Sequence, residues 1–153
     1  FNTKKTKKIF AVNTMVEEIS KYNCIGKNVD YAKITDKIYR TIKKKSLLFL
    51  IGDFFDTQDL DLKLLSKKHE VIVIVVRDQF EEEPKELGNV NLVDPSTGES
   101  YDGIISKSTV KKYQARLKQN DHIFFEHLQK NAIKNIKIYT HEEPISKMIK
   151  LFR

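Results

Sequence analysis

The sequence predicts an α/β fold, a three-layer sandwich with helices on both faces of a mainly parallel sheet. Residues 47–51 (LLFLI) and 71–76 (VIVIVV) are short, continuous apolar runs, the pattern of strands covered on both faces. A helical segment lies between them, and a strand, helix, strand succession closes as a right-handed unit with parallel strands. A third short strand, reached through a long amphipathic helix, extends the same sheet.

The elements follow in order. Ile9, Val12, Met15, Val16 and Ile19 recur at helical spacing, and residues 23–28 around Gly26 read as the connection after that first helix. Asp30 is placed to cap a second helix, in which Ile34, Ile38 and Ile42 share one face before the run Lys43, Lys44, Lys45. The first strand comes next, then a helix marked by Leu60, Leu62, Leu64 and Leu65 and capped near Thr57, then the second strand. Glu81, Glu82, Glu83 and Pro84 read as a solvated loop with no packing role. Residues 90–93 and 101–105, separated by the turn formers DPSTGE, predict an inserted β-hairpin. A long helix over 109–131 carries Val110, Tyr113, Leu117, Phe124 and Leu128 on its apolar face. A strand over 136–140 follows, and Pro144 suits the first turn of a closing helix with Ile145, Met148, Ile149 and Phe152. The order ααβαβ(ββ)αβα, without internal repeats, predicts a single domain over residues 1–153. Two helices but no strand precede residues 47–51, whose composition suits a central strand with a neighbour on each side.

Composition removes several function classes. With 153 residues, 40% hydrophobic and 32% charged, and only 5 Gly and 3 Pro, the chain is not collagen-like, mucin-like or wholly disordered. No apolar run approaches the roughly 18 residues of a membrane span, and no signal peptide opens the chain, so no membrane role is expected. Cys24 is the single cysteine, which precludes an internal disulfide and makes the cytoplasm the expected compartment. The net charge of +7 is concentrated: residues 1–45 hold 12 Lys+Arg against 4 Asp+Glu, the remainder 16 against 17. Lys4, Lys5, Lys7, Lys8 and Lys43 to Lys45 could neutralise phosphates, but no nucleic-acid-binding motif accompanies them. Solvated faces and helix-end complementation are the preferred reading, and nucleic acid is not the expected partner.

Ligands of open α/β sheets bind beyond the carboxyl ends of parallel strands, where Asp53, Asp56 and Asp78 are expected. Converging carboxylates there could hold Mg²⁺ for a nuclease or phosphatase, although helix caps and turns use the same residues. His69, His122, His127 and His141 form no zinc motif and read as surface or partly buried polar residues. Neither a glycine-rich phosphate loop nor a nucleophile elbow occurs, and Cys24 reads as a small packed or partly exposed thiol.

Three separated stretches, 45–56 (KSLLFLIGDFFD), 64–78 (LLSKKHEVIVIVVRD) and 92–99 (LVDPSTGE), together with the ending 140–153 (THEEPISKMIKLFR), resemble the bacterial "domain of unknown function 58" family. The resemblance implies a von Willebrand factor A-like fold from which the first three strands are missing, in line with Phe1 at the start. In that fold a metal-ion-dependent adhesion site combines an Asp-x-Ser-x-Ser loop, a later Thr and an Asp after the fourth strand. Asp53 matches the last of these. Residues 28–31 (NVDY) stand where the family reads Gly-Thr-Asp-Leu, so Val29 replaces the hydroxyl and Asp30 keeps the carboxylate, while the Asp-x-Ser-x-Ser loop occurs nowhere. The resemblance therefore implies a non-enzymatic protein-interaction module with a degenerate metal site at Asp53 and Asp30. Mg²⁺ would belong to an intact domain, and a MoxR-type AAA+ ATPase is the implied partner, with Asp53, Asp56 and Asp78 as contact residues. The missing strands also imply an open edge at residues 47–51 and self-association as a dimer through it.

Overall fold

The computed structural model describes residues 8–23, 29–94 and 97–152. Cys24, Gly26, Lys4, Lys5, Lys7 and the Pro95-Ser96 pair of the expected turn lie outside the described residues. The chain separates into two compact units, Phe1–Asn28 with Leu92–Tyr101, and Val29–Asn91 with Asp102–Arg153.

In the first unit, α1 (Ile9–Lys21) forms on the expected apolar spacing, yet it buries no residue, and Ile9 and Phe10 are about four-fifths exposed. The tip of the hairpin belongs here too. Its turn closes through Asp94 N–H to the Glu99 carbonyl at 2.8 Å and Gly98 N–H to the Asp94 carbonyl at 2.7 Å. Gly98 sits at φ +76°, a left-handed conformation that only glycine adopts without penalty.

The second unit holds the sheet. Asp30 caps α2 (Tyr31–Thr41), its carboxylate accepting the Lys33 N–H at 2.8 Å. Then come β1 (Leu47–Gly52), α3 (Lys63–Lys68), β2 (Glu70–Arg77), α4 (Gln79–Glu82), β3 (Gly88–Val93), β4 (Ser100–Ile105), α5 (Lys107–Lys130), β5 (Lys134–Tyr139) and α6 (Pro144–Ile149), followed by a 3₁₀ turn, Lys150–Phe152. β1, β2 and β5 pair in parallel, in that order across the sheet, and β3 and β4 form the separate hairpin. Because each connection steps the same way across the sheet, right-handed crossovers place α3 and α5 on the same face. That face carries Val71, Val73 and Val75, packed with Leu62, Leu65, Phe124 and Leu128. Ile72, Ile74 and Ile138 form the opposite face, covered by Met148 of α6 and Leu151. Helices on both faces of the sheet make the three layers, as expected.

Four expectations are corrected. Among the described residues β1 is not covered on both faces: it lies at the edge of the β1-β2-β5 sheet, and its outer residues Leu47, Phe49 and Ile51 are exposed, Ile51 to 67%. The helix expected from Thr57 begins only at Lys63. Leu60 and Leu62 are buried in irregular chain before it, held by Leu60 N–H to the Thr57 carbonyl at 3.0 Å and Leu62 N–H to His127 Nε2 at 3.1 Å. The acidic stretch forms α4, and Glu82 is largely buried in an ion-pair network. His69 is also buried, at 3% exposure, and neither ring nitrogen has a hydrogen-bond partner among the described residues.

Burial, and secondarily the charge of Lys68, pushes the His69 pKa down. An unfolded histidine titrates near 6.5, so below that pH the unfolded chain binds the proton first and stability falls as the medium acidifies. His69→Leu is expected to flatten the decline in urea-unfolding stability between about pH 6.5 and pH 5; an unchanged slope would place the acid sensitivity elsewhere.

Candidate functional site at the carboxyl end of the sheet

Alternation along β2 directs Arg77 to the same side as Val71, Val73 and Val75, at the point where the strand ends. Its side chain is completely buried, and all five guanidinium N–H groups are used. Nε donates to the Asp53 carbonyl at 2.8 Å and Nη2 to the Phe54 carbonyl at 3.2 Å. Nη1 and Nη2 fork onto the two oxygens of Asp121 at 2.8 and 2.7 Å, and Nη1 also reaches Glu82 Oε1 at 2.9 Å. The Phe55 ring lies against the guanidinium, 4.4 Å from its carbon to the ring centroid.

Two further side chains come from β5, the other neighbour of β2. Lys137 Nζ bonds Glu82 and, at 3.2 Å, Asp121, while the Tyr139 hydroxyl donates to Glu82 Oε2 at 2.7 Å. Two cations thus face two carboxylates and the cluster is neutral, as a low-dielectric site requires. Burial alone would raise the Glu82 pKa, but hydrogen bonds from Lys137, Tyr139 and Arg77 outweigh it and hold the carboxyl below its usual range. The same bond to Glu82, aided by burial, pushes the Tyr139 phenol up to about 12.

Arg77 also shapes the loop after β1. Phe54 adopts φ +52°, which costs a non-glycine residue roughly 1–2 kcal/mol. The conformation turns the Asp53 and Phe54 carbonyls onto the guanidinium and stacks the Phe54 ring on Phe124 at 5.1 Å between centroids. Gly52 leaves room for that ring, since a Cβ there would meet Phe54 Cε2 at 3.4 Å.

The carboxylates singled out from sequence have different partners. Asp30 is spent on the cap of α2 and an exposed pairing with Lys33. Asp53 contributes its carbonyl to Arg77, and its carboxylate is exposed; with Asp56 it raises the Tyr31 phenol pKa, after the larger effect of burial. Asp56 accepts the Gln58 N–H at 3.4 Å. Asp78 caps α4 through Phe80 N–H at 2.8 Å and accepts the Thr140 hydroxyl at 2.7 Å, two bonds that hold its carboxyl below the ordinary range. Among the described residues no three His, Cys, Asp or Glu side chains are arranged to hold a metal ion. These residues do not fit a tightly held cation: Asp30 and Asp78 are committed to helix N-termini, and Val29 offers no lone pair.

Residues 3–123 match the family described as "Protein of unknown function DUF58". The chain belongs to this family. No curated protein and no solved structure matches it. In this DUF58 chain no described helix is long and apolar enough to cross a membrane. Sequence reasoning passed over Arg77, Glu82, Asp121, Lys137 and Tyr139. One signal was present: Asp121 falls four residues after Leu117 and three before Phe124, on the buried stripe of α5.

Arg77→Met is expected to lower unfolding stability by about 3–5 kcal/mol in urea titration, because it strands Glu82 and Asp121 without their central counter-charge. A loss below about 1 kcal/mol would show that the network is not what holds the strand ends.

Proposed function

We propose that this chain is a non-enzymatic protein-interaction module of the von Willebrand factor A-like type, working through the β1 side of its sheet. The observation that carries the reading is the open edge. Among the described residues β1 pairs with β2 along one side only, and beside it lies a groove of about 520 Å³ between α2 and β1, lined by Tyr31, Ile34, Ile38, Phe49, Ile51 and Phe54 among others. Unpaired strand N–H and C=O groups next to apolar side chains form a template for another strand. A second copy supplies one: two β1 strands related by a two-fold axis pair antiparallel, extend the sheet across a dimer and cover Phe49 and Ile51.

The partner beyond the dimer is a MoxR-type AAA+ ATPase, proposed from the family resemblance alone, with Asp53, Asp56 and Asp78 on the rim it would meet. Asp53 and Asp56 are exposed acidic groups next to the groove and available to a basic surface. Asp78 is the weakest of the three, since both its oxygens are engaged.

Static light scattering at tens of micromolar is expected to give a dimer, and Ile51→Lys a monomer, because a buried lysine at the new strand pair would lack a counter-charge. A monomeric wild type would overturn the edge pairing. For the ATPase, calorimetric titration with the purified partner should show binding that Asp53→Lys weakens by about tenfold, or about 1.4 kcal/mol. Equal affinity for the variant would remove Asp53 from the contact.

A further inference from the structure

On the β5 side of Arg77, the Glu82 carboxylate is held in a way that an ordinary surface helix does not need. Arg77, Lys137 and Tyr139 converge on it from the ends of two adjacent strands. None of the three depends on Glu82 for its backbone position. Arg77 is anchored by Asp121 and by two loop carbonyls, and Lys137 has its own contact with Asp121. Without Glu82 the cradle would stay assembled on its strands, carrying Arg77⁺, Lys137⁺ and Asp121⁻, a net charge of +1 beside a phenol hydroxyl.

The element that delivers Glu82 is weakly attached. α4 has four residues and adds no apolar side chain to the core, Glu82 being its most covered residue and Phe80 46% exposed. Polar contacts hold it: the capping box of Asp78 and Glu81, the Thr140 hydroxyl on Asp78, the Tyr113 hydroxyl on the Glu81 carbonyl at 2.7 Å, and the bonds to Glu82 itself. Segments with little apolar burial open at a small fraction of the global unfolding free energy. The bonds on Glu82 are ones that another carboxylate in the same place would also receive.

We propose that Arg77, Lys137 and Tyr139 form a carboxylate-binding site which α4 occupies in cis through Glu82, and that an acidic protein segment binds by displacing α4 and placing a Glu or Asp side chain in the cradle. The net +1 and the presence of Asp121 favour a monoanionic carboxylate over dianionic phosphate, whose second charge would face Asp121. Occupation in cis makes the site autoinhibited, since the incoming carboxylate competes with a tethered one at high effective concentration. The inference is independent of the β1 edge.

The test has two arms. In Glu82→Ala, acetate restores the group that was cut away. At pH 7 and constant ionic strength, acetate is expected to raise the thermal midpoint of the variant by on the order of 3–5 °C at saturation, with no shift in the wild type. A larger shift with inorganic phosphate than with acetate would overturn the carboxylate assignment, and no shift with either would overturn the cradle. The second arm uses the wild-type chain and so does not depend on the variant folding. Hexaglutamate peptide is expected to accelerate amide hydrogen exchange at Phe80 and Glu83, whose N–H groups are bonded to Asp78 and Gln79, while hexalysine does not. Binding without increased exchange, or no binding at all, would overturn displacement of α4.

Discussion

The fold depends at one point on a charge inside it. Arg77 ends the central strand with its side chain turned toward the core, and every donor it has is matched by an oxygen from a different part of the chain: the β1 loop, α4 and α5. Desolvating a guanidinium is costly, and only complete pairing makes it tolerable. Complete pairing is also what gives the residue its specificity. Five donors in a rigid plane dictate where three segments end, in a way that valine at the same position could not. The left-handed Phe54, the burial of Glu82 and the seating of Asp121 in an otherwise apolar helix stripe are local departures from preference, and one side chain accounts for all three.

The order of the sheet distributes the apolar surface unevenly. With β1, β2 and β5 stepping in one direction, the crossover helices accumulate on the Val71/Val73/Val75 face, and the other face is covered only after β5, by α6 and the final turn. Phe152 approaches Phe49 at 6.4 Å between ring centroids, while Ile51 has most of its surface in solvent. Ligands of parallel sheets lie where strand order reverses, and no such reversal falls within β1-β2-β5.

Much of this was legible in the residues. The β-branched run of β2, the four-residue spacing of α2, the DPSTGE turn and Pro144 each obey a local rule, and the elements they predict are present. What local rules could not reach were features that tertiary contacts decide. Leu60 and Leu62 look helical by spacing, but the Leu62 N–H is bonded to His127, sixty-five residues away, and the helix starts after it. The acidic stretch looked solvated because three consecutive glutamates before a proline usually are, and the two cations that cover Glu82 come from separate strands. A partial signal existed even there, since Asp78 with Glu81 three residues on is a capping box. The residues that sequence reasoning passed over share one cause. Carboxylates were sought as ligands for something external, whereas at this sheet end Asp121 and Glu82 are ligands for the protein's own arginine.

The two sides of the molecule therefore differ in kind. At the β1 side the surface is apolar with unpaired backbone, and burying it is favourable for almost any extended segment, so selectivity must come from what flanks the groove. At the β5 side the surface is a polar network that is already satisfied, where a newcomer gains only what it reproduces and must replace each bond it breaks. Taken together, the edge pairing and the carboxylate site proposed above would describe a module that engages proteins by area at one place and by matched chemistry at another. Arg77 takes part in both, since it fixes the Asp53–Phe54 corner that closes the groove at one end and carries Glu82 at the other. Exchange of Glu82 for another carboxylate keeps the charge on Arg77 and leaves that corner in place, whereas loss of Glu82 without replacement would leave excess positive charge beside the loop that shapes the groove.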